Sequence, residues 1–153
     1  MAVTFRTARS LVAAGAFALA GALMADGIFQ RDPPLPEETF FFPGEIIVFY
    51  AVGGAIAGMI CASLFGRAGI GGVLAALAGG VLATLLAGIF GGAMSSIPVA
   101  WNAGSVVPEL IGIGFGAISY PLAAAGAPLA GVYWIVIVMG THVLSRIAAR
   151  TLA

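Results

Sequence analysis

Two stretches of this chain, Ala68–Pro108 and Leu110–Ser145, contain no Asp, Glu, Lys or Arg. Each runs far beyond the roughly 18 apolar residues that argue for a transmembrane helix. A segment of that length without charge cannot cover a water-facing surface. In lipid, a spanning segment that is not part of a closed barrel must be a helix, because only then are its backbone groups satisfied internally. The rest of the chain agrees, with 61% hydrophobic and 8% charged residues over 153 positions, against about 25% charged in soluble domains. The sequence predicts an all-α, polytopic membrane protein, one integral membrane domain over residues 1–153.

Four spans are read at about 10–29, 46–65, 70–94 and 128–146. Only Gly66-Arg67-Ala68-Gly69 separates the second from the third, which predicts a tight antiparallel hairpin. The first span has a competing reading as a signal peptide, with Arg6 and Arg9 ahead of an apolar core Leu11–Leu23 and small residues Ala20-Gly21-Ala22 at a candidate cleavage point. Residues 106–127 are the ambiguous part. Pro108-Glu109 reads as a helix start, while Pro121 and Pro128 predict a break or kink. About 17 helical residues give ~26 Å, short of a ~30 Å hydrocarbon core. A short fifth span, a re-entrant half-helix and an interfacial helix all fit. The expectation is four spans, with five as the alternative, and a broken or re-entrant segment before the last helix.

Arginine placement decides between the two counts. With four spans and the N-terminus inside, Arg6, Arg9, Arg67, Arg146 and Arg150 fall on the cytoplasmic side and Arg31 alone falls outside. With five spans the asymmetry disappears. The sequence therefore predicts a multi-pass protein of a bacterial inner membrane with both termini cytoplasmic. The outer loop after the first span carries Pro33, Pro34 and Pro36 and then Phe40, Phe41 and Phe42, an extended path followed by a membrane-boundary cluster. Trp101 is a similar candidate anchor.

Cut into fours, Gly71–Met94 reads GGVL-AALA-GGVL-ATLL-AGIF-GGAM. Gly72, Ala76, Gly80, Thr84, Gly88 and Gly92 form one row at spacing four, and Gly71, Ala75, Gly79, Ala83, Ala87 and Gly91 form the row beside it. The second span carries Gly54, Gly58, Ala62 and Gly66, with Gly53, Ala57 and Cys61 alongside, and the first carries Ala14, Ala18 and Ala22. Lipid tails give helices little hydrophobic reason to associate, so small residues that let backbones approach drive packing instead. The expectation is glycine-zipper packing, with the second and third spans meeting through their glycine faces and the wide strip on the third available to a further helix or a partner subunit.

Polar groups are few. Asp26 lies about a turn from the outer end of its span, Glu45 and Glu109 sit at helix starts, and Thr84 can bond a carbonyl of the preceding turn. His142 is the one histidine and the one candidate haem or chlorin ligand, and its expected state is solvated at an interface. One His and one distant Cys61 do not make a metal site. There is no lysine for Schiff-base chemistry, and no P-loop, dinucleotide fingerprint or Ser-His-Asp arrangement. The glycine-rich hairpin Gly53–Gly92 with Arg67 in its loop resembles the rotor-ring subunit of ATP synthases. The mid-membrane carboxylate that such a resemblance requires is missing from the third span.

The functional expectation is a non-catalytic helix-packing or accessory subunit of a larger membrane assembly for transport or electron transfer, with no cofactor. Its expected partners are membrane lipid and either other membrane subunits or further copies of itself; a zero net charge gives no reason to expect nucleic acid. The alternative is a small homo-oligomeric channel or transporter whose outward vestibule is lined by Asn102, Ser105, Glu109, Ser119 and Tyr120, because broken membrane helices frame substrate sites.

Overall fold

The computed structural model describes residues 2–31, 43–103, 107–126 and 128–151. They form five helices, α1 (Ala2–Arg31), α2 (Pro43–Cys61), α3 (Gly69–Ala103), α4 (Val107–Gly126) and α5 (Pro128–Thr151), with a 3-10 turn Ala62–Leu64 after α2. Segments of α1, of α2 and its 3-10 turn, of α3 and of α5 are long and apolar enough to cross a membrane, at Arg6–Gly27, Gly44–Leu64, Gly69–Ile97 and Leu129–Thr151. The chain is a multi-pass membrane protein.

Three boundaries differ from the sequence reading. α1 begins at Ala2, so Arg6 and Arg9 ride on the helix itself; nothing in 2–9 is Gly or Pro, so no residue there breaks the helix. α3 continues past Met94 to Ala103. There the Ser95 hydroxyl donates back to the carbonyls of Gly91 (3.2 Å) and Gly92 (2.9 Å), so a polar residue is satisfied without ending the helix. The expected break at Pro121 is absent, because α4 runs through it to Gly126. One proline removes a single backbone donor, which membrane helices tolerate. Its 20 residues give about 30 Å of helix.

Packing is tightest where no side chain intervenes. On the α1–α2 interface a Cβ at Gly21 would strike the Tyr50 carbonyl, one at Gly54 the Phe17 carbonyl, and one at Gly58 the Ala13 carbonyl. The two helices thus step past each other four residues at a time in antiparallel register. Phe17 and Phe65 close the lower end of this interface, their ring centroids 5.7 Å apart. Across α2–α3, a Cβ at Gly53 would lie 2.7 Å from the Gly91 nitrogen and 2.8 Å from the Ala87 oxygen. The connection is tight because Gly66 and Gly69 both adopt φ +76°, a left-handed conformation that costs any other L-residue roughly 1–2 kcal/mol.

This geometry assigns the rows to their neighbours. Gly54 and Gly58 face α1, and it is Gly53, one residue earlier, that faces α3. Ala62 is buried in the 3-10 turn and Gly72 abuts the Arg67 backbone of its own connection. On α3 Ala87 and Gly91 serve α2 and Gly79 meets Leu64 and Phe65 just beyond it, while Gly80 meets α5 and Gly88 and Gly92 meet α4; Ala76 is fully buried. Adjacent rows point about 100° apart on a helix of 3.6 residues per turn. Two small rows side by side therefore make a corner with two seats rather than one wide flat strip.

α4 and α5 both run antiparallel to α3. Gly112 lies by Ser96 and Gly116 by Gly88 on one side; Trp134 and Val138 lie by Gly80 on the other. α5 then reaches the α2–α3 connection, where Gly66 meets Ser145. The amino end of α1, the α2–α3 connection and the carboxyl end of α5 consequently share one end of the bundle.

Candidate functional site

Polar side chains inside the bundle concentrate along the inner face of α5. The single polar group in mid α3, Thr84, donates to the Gly80 carbonyl at 2.7 Å, as the sequence anticipates. Its oxygen also accepts a hydrogen bond from Trp134 Nε1 at 2.8 Å. Gly80 makes this possible: with no side chain there, the Trp134 ring and Val138 settle onto the α3 backbone, the ring edge 3.2 Å from where a Cβ would stand. An indole N–H buried in an apolar bundle needs an acceptor, and Thr84 is the acceptor present. The pairing was missed from sequence, although a tryptophan in an uncharged span opposite a span with one hydroxyl was the available signal.

Two turns further along α5, Thr141 donates to its own Ile137 carbonyl at 2.7 Å. His142 is buried, at 5% exposure, and its Nδ1 accepts the Gly66 backbone N–H at 3.2 Å. The expectation of a solvated histidine thus fails. The reason is tertiary, since Gly66 sits 76 residues away and turns its amide toward α5 only because of its left-handed φ. A neutral imidazole accepting at Nδ1 carries its proton on Nε2. Its role here is to close the amide of a turn, and among the described residues there is no group of three His, Cys, Asp or Glu that could hold a metal. Ser145, fully buried against Gly66, has a hydroxyl without a hydrogen-bond partner among the described residues. Cys61 is buried and free.

The same end of the bundle gathers cations. Arg67 donates from Nε to the Ser63 carbonyl at 3.0 Å and is exposed. Arg9 lies within electrostatic reach of Arg67 and Arg6, and Arg146 within reach of His142.

At the opposite end the expected vestibule is only outlined. Ser105 lies outside the described residues, and so do the side chains of Asn102, Glu109, Ser119 and Tyr120. Their backbone positions put Asn102 near the end of α3 and Glu109 in the first turn of α4. Ser119 and Tyr120 follow some ten residues on, about 15 Å along that helix. Gly112, Gly116, Gly88 and Gly92 form the contact between α3 and α4 just inside this end. No protein-family model, curated protein or solved structure matches the chain.

Proposed function

We propose that the chain is a non-catalytic integral protein of a bacterial inner membrane, acting as a helix-packing or accessory subunit of a larger membrane assembly. The observation that carries this reading is the use of its interior polar groups. Trp134 bonded to Thr84 and His142 bonded to the Gly66 amide tie α5 to α3 and to the α2–α3 connection, while Thr141 and Ser95 are satisfied on their own helices, so these bonds serve helix packing and helix structure. The glycine rows support a zipper-type assembly of the chain on itself, since both rows of α3 are met by its own helices. A partner subunit then has to dock elsewhere. Every helix exposes large apolar side chains, and we take the outward side of α5, with Val132, Tyr133, Val136 and Leu144 exposed, as the surface to test. The arginine-bearing end faces the cytoplasm, as the positive-inside rule requires. Purification in mild detergent followed by mass identification of what comes with the chain tests the proposal. Repeated recovery of the same membrane proteins, reduced by Tyr133→Ala with Val136→Ala, is the expected result, and a chain that purifies alone refutes it.

One observation favours a second reading. α4 starts beside the far end of α3 and α5 follows it after Ala127 alone, and we read the pair as a broken element before the last crossing, the kind around which transporters build substrate sites. Flux into proteoliposomes containing only this chain, lost on Glu109→Gln, would establish the channel or transporter.

A further inference from the structure

The contact that seats α5 on the α2–α3 connection is made through a titratable atom. His142 Nδ1 accepts the Gly66 N–H at 3.2 Å, so the proton of the neutral ring is on Nε2. A second proton can enter only at Nδ1, the atom that holds the bond. An imidazolium has two N–H donors and no acceptor, and against the Gly66 amide it sets donor against donor. Turning the ring does not help, since both nitrogens are then donors. Bond and protonation exclude each other.

The groups around the ring give an added proton nothing to pair with. Arg146 stands one turn further along α5, within electrostatic reach. Arg67 follows Gly66 in the connection, and the amino end of α1 brings Arg6 and Arg9 to the same end of the bundle. α2 ends at the buried thiol of Cys61, which adds no charge on the acid side of neutrality. α3 contains no ionisable side chain. The carboxylates of the described helices belong to the opposite end, with Asp26 toward the far end of α1, Glu45 in the first turn of α2 and Glu109 in the first turn of α4.

The seat also carries a cost of its own. Ser145, three residues beyond His142, is fully buried, and its hydroxyl has no hydrogen-bond partner among the described residues. The same glycine covers it: a Cβ at Gly66 would stand 3.0 Å from both the carbonyl carbon and the Cβ of Ser145. A hydroxyl left unpaired costs free energy for as long as it stays buried. The His142 bond offsets that cost while the seat is closed. Withdrawing the acceptor tips the balance toward opening, where water reaches Ser145 as well.

We infer that His142 is a pH-sensitive latch between α5 and the α2–α3 connection: a proton taken up at Nδ1 breaks its bond to the Gly66 amide and lifts the carboxyl end of α5 off Gly66. The Trp134–Thr84 bond, further along α5, keeps the helix on α3 meanwhile. The closed seat belongs to the neutral ring, so it is complete on the alkaline side of the imidazole range and is lost as pH falls. The pH it reads is that of the compartment at the arginine-bearing end. The latch depends on the membrane fold alone and serves either reading of the function.

Nuclear magnetic resonance of the detergent-solubilised chain, labelled at its glycine and histidine nitrogens, follows both partners on one sample. Exchange protection of the Gly66 amide reports the seat, and the ring nitrogens report protonation. With one proton per opening and an ordinary imidazole pKa of about 6.5 in the open seat, the open-to-closed ratio rises roughly thirtyfold between about pH 8 and about pH 5. Gly66 protection should fall by that factor, while the helical amides of Gly80 and Gly88 keep theirs. His142→Asn puts a side-chain oxygen near where Nδ1 stands and does not titrate, so it should hold Gly66 across the whole range. Ser145→Ala removes the unpaired hydroxyl and should raise Gly66 protection at every pH without changing the slope. Gly66 protection that stays constant over this range, the parent's pH dependence persisting in His142→Asn, or no gain from Ser145→Ala would each overturn the latch. If the asparagine variant does not fold, the parent still decides, because the His142 and Gly66 titrations must then share one midpoint, and separate midpoints rule the latch out.

Discussion

Replacing Thr84 by valine removes one hydroxyl at nearly constant shape, and the structure says which partner suffers. The Gly80 carbonyl keeps its ordinary helical bond, so losing the 2.7 Å contact from Thr84 Oγ1 leaves no orphan there. The Trp134 indole N–H loses its acceptor at 2.8 Å, and Gly80, the α3 residue its ring packs on, has no side chain to replace it. Interhelical hydrogen bonds in membrane proteins average about 0.6 kcal/mol and reach about 1.7. An indole stranded among apolar side chains belongs in the upper half, so Thr84→Val should cost ~1–1.5 kcal/mol. Thr141 is the control. It is also a buried threonine on a membrane helix, but its hydroxyl bonds only the Ile137 carbonyl of its own helix. Thr141→Val should therefore stay within ~0.5 kcal/mol, since removing a self-satisfied hydroxyl orphans nothing. Reversible unfolding in mixed micelles, followed by tryptophan fluorescence and circular dichroism, gives both values. The cycle closes with Trp134→Phe, and the double variant should fall short of additivity by about 0.6–1.7 kcal/mol. Equal costs at Thr84 and Thr141, or an additive double variant, would refute the claim that this pair ties α5 to α3.

Glycine positions divide sharply by what they face. Gly54→Leu and Gly88→Leu drive a side chain into the backbones of Phe17 and Gly116 and should each destabilise by more than ~2 kcal/mol, whereas Gly15→Leu and Gly114→Leu meet open space and should be neutral within ~0.5 kcal/mol; thermal melts in detergent rank them. Gly66→Ala and Gly69→Ala carry the same backbone strain, φ +76° at both, but only Gly66 is pressed on Ser145. The alanine at 66 should thus be the worse of the two, and equal melting temperatures would mean that α5 does not seat on the connection. Single cysteines at Ala68 and Thr151, introduced in a Cys61→Ala background, should react with an impermeant maleimide from one side of sealed vesicles and a cysteine at Trp101 from the other; labelling of 68 and 151 from opposite sides would break the four-crossing topology.

The helices and their membrane character were legible because length and lack of charge are local properties, written in order along the chain. The spacing of small residues was legible too, as a list of faces able to be approached. Which neighbour each face receives was not. A one-residue shift, from Gly54 to Gly53, moves a contact by about 100° from one helix to another, and no single-helix pattern states where its neighbours stand. The same holds for His142, whose partner is a backbone amide 76 residues distant and has no residue identity to read. Pro121 does not end α4, because a membrane helix tolerates the one backbone donor that proline removes.

The order of packing along the chain bears on how the protein is made. The three most extensive helix interfaces are α1 with α2, α2 with α3 and α3 with α4, so each lies between consecutive helices and can form as the later one leaves the ribosome and enters the bilayer. α5 is the exception, reaching back to α1 and to the connection at Gly66. Its seat exists only after the first three helices have met. A nascent chain halted before α5 should already hold the glycine contacts among α1 to α4, with Gly80, the Gly66 amide and the Thr84 hydroxyl still waiting for their partners. Synthesis of the last helix is then the step that locks the bundle, and a chain truncated there would give quality-control proteases a loosely closed target.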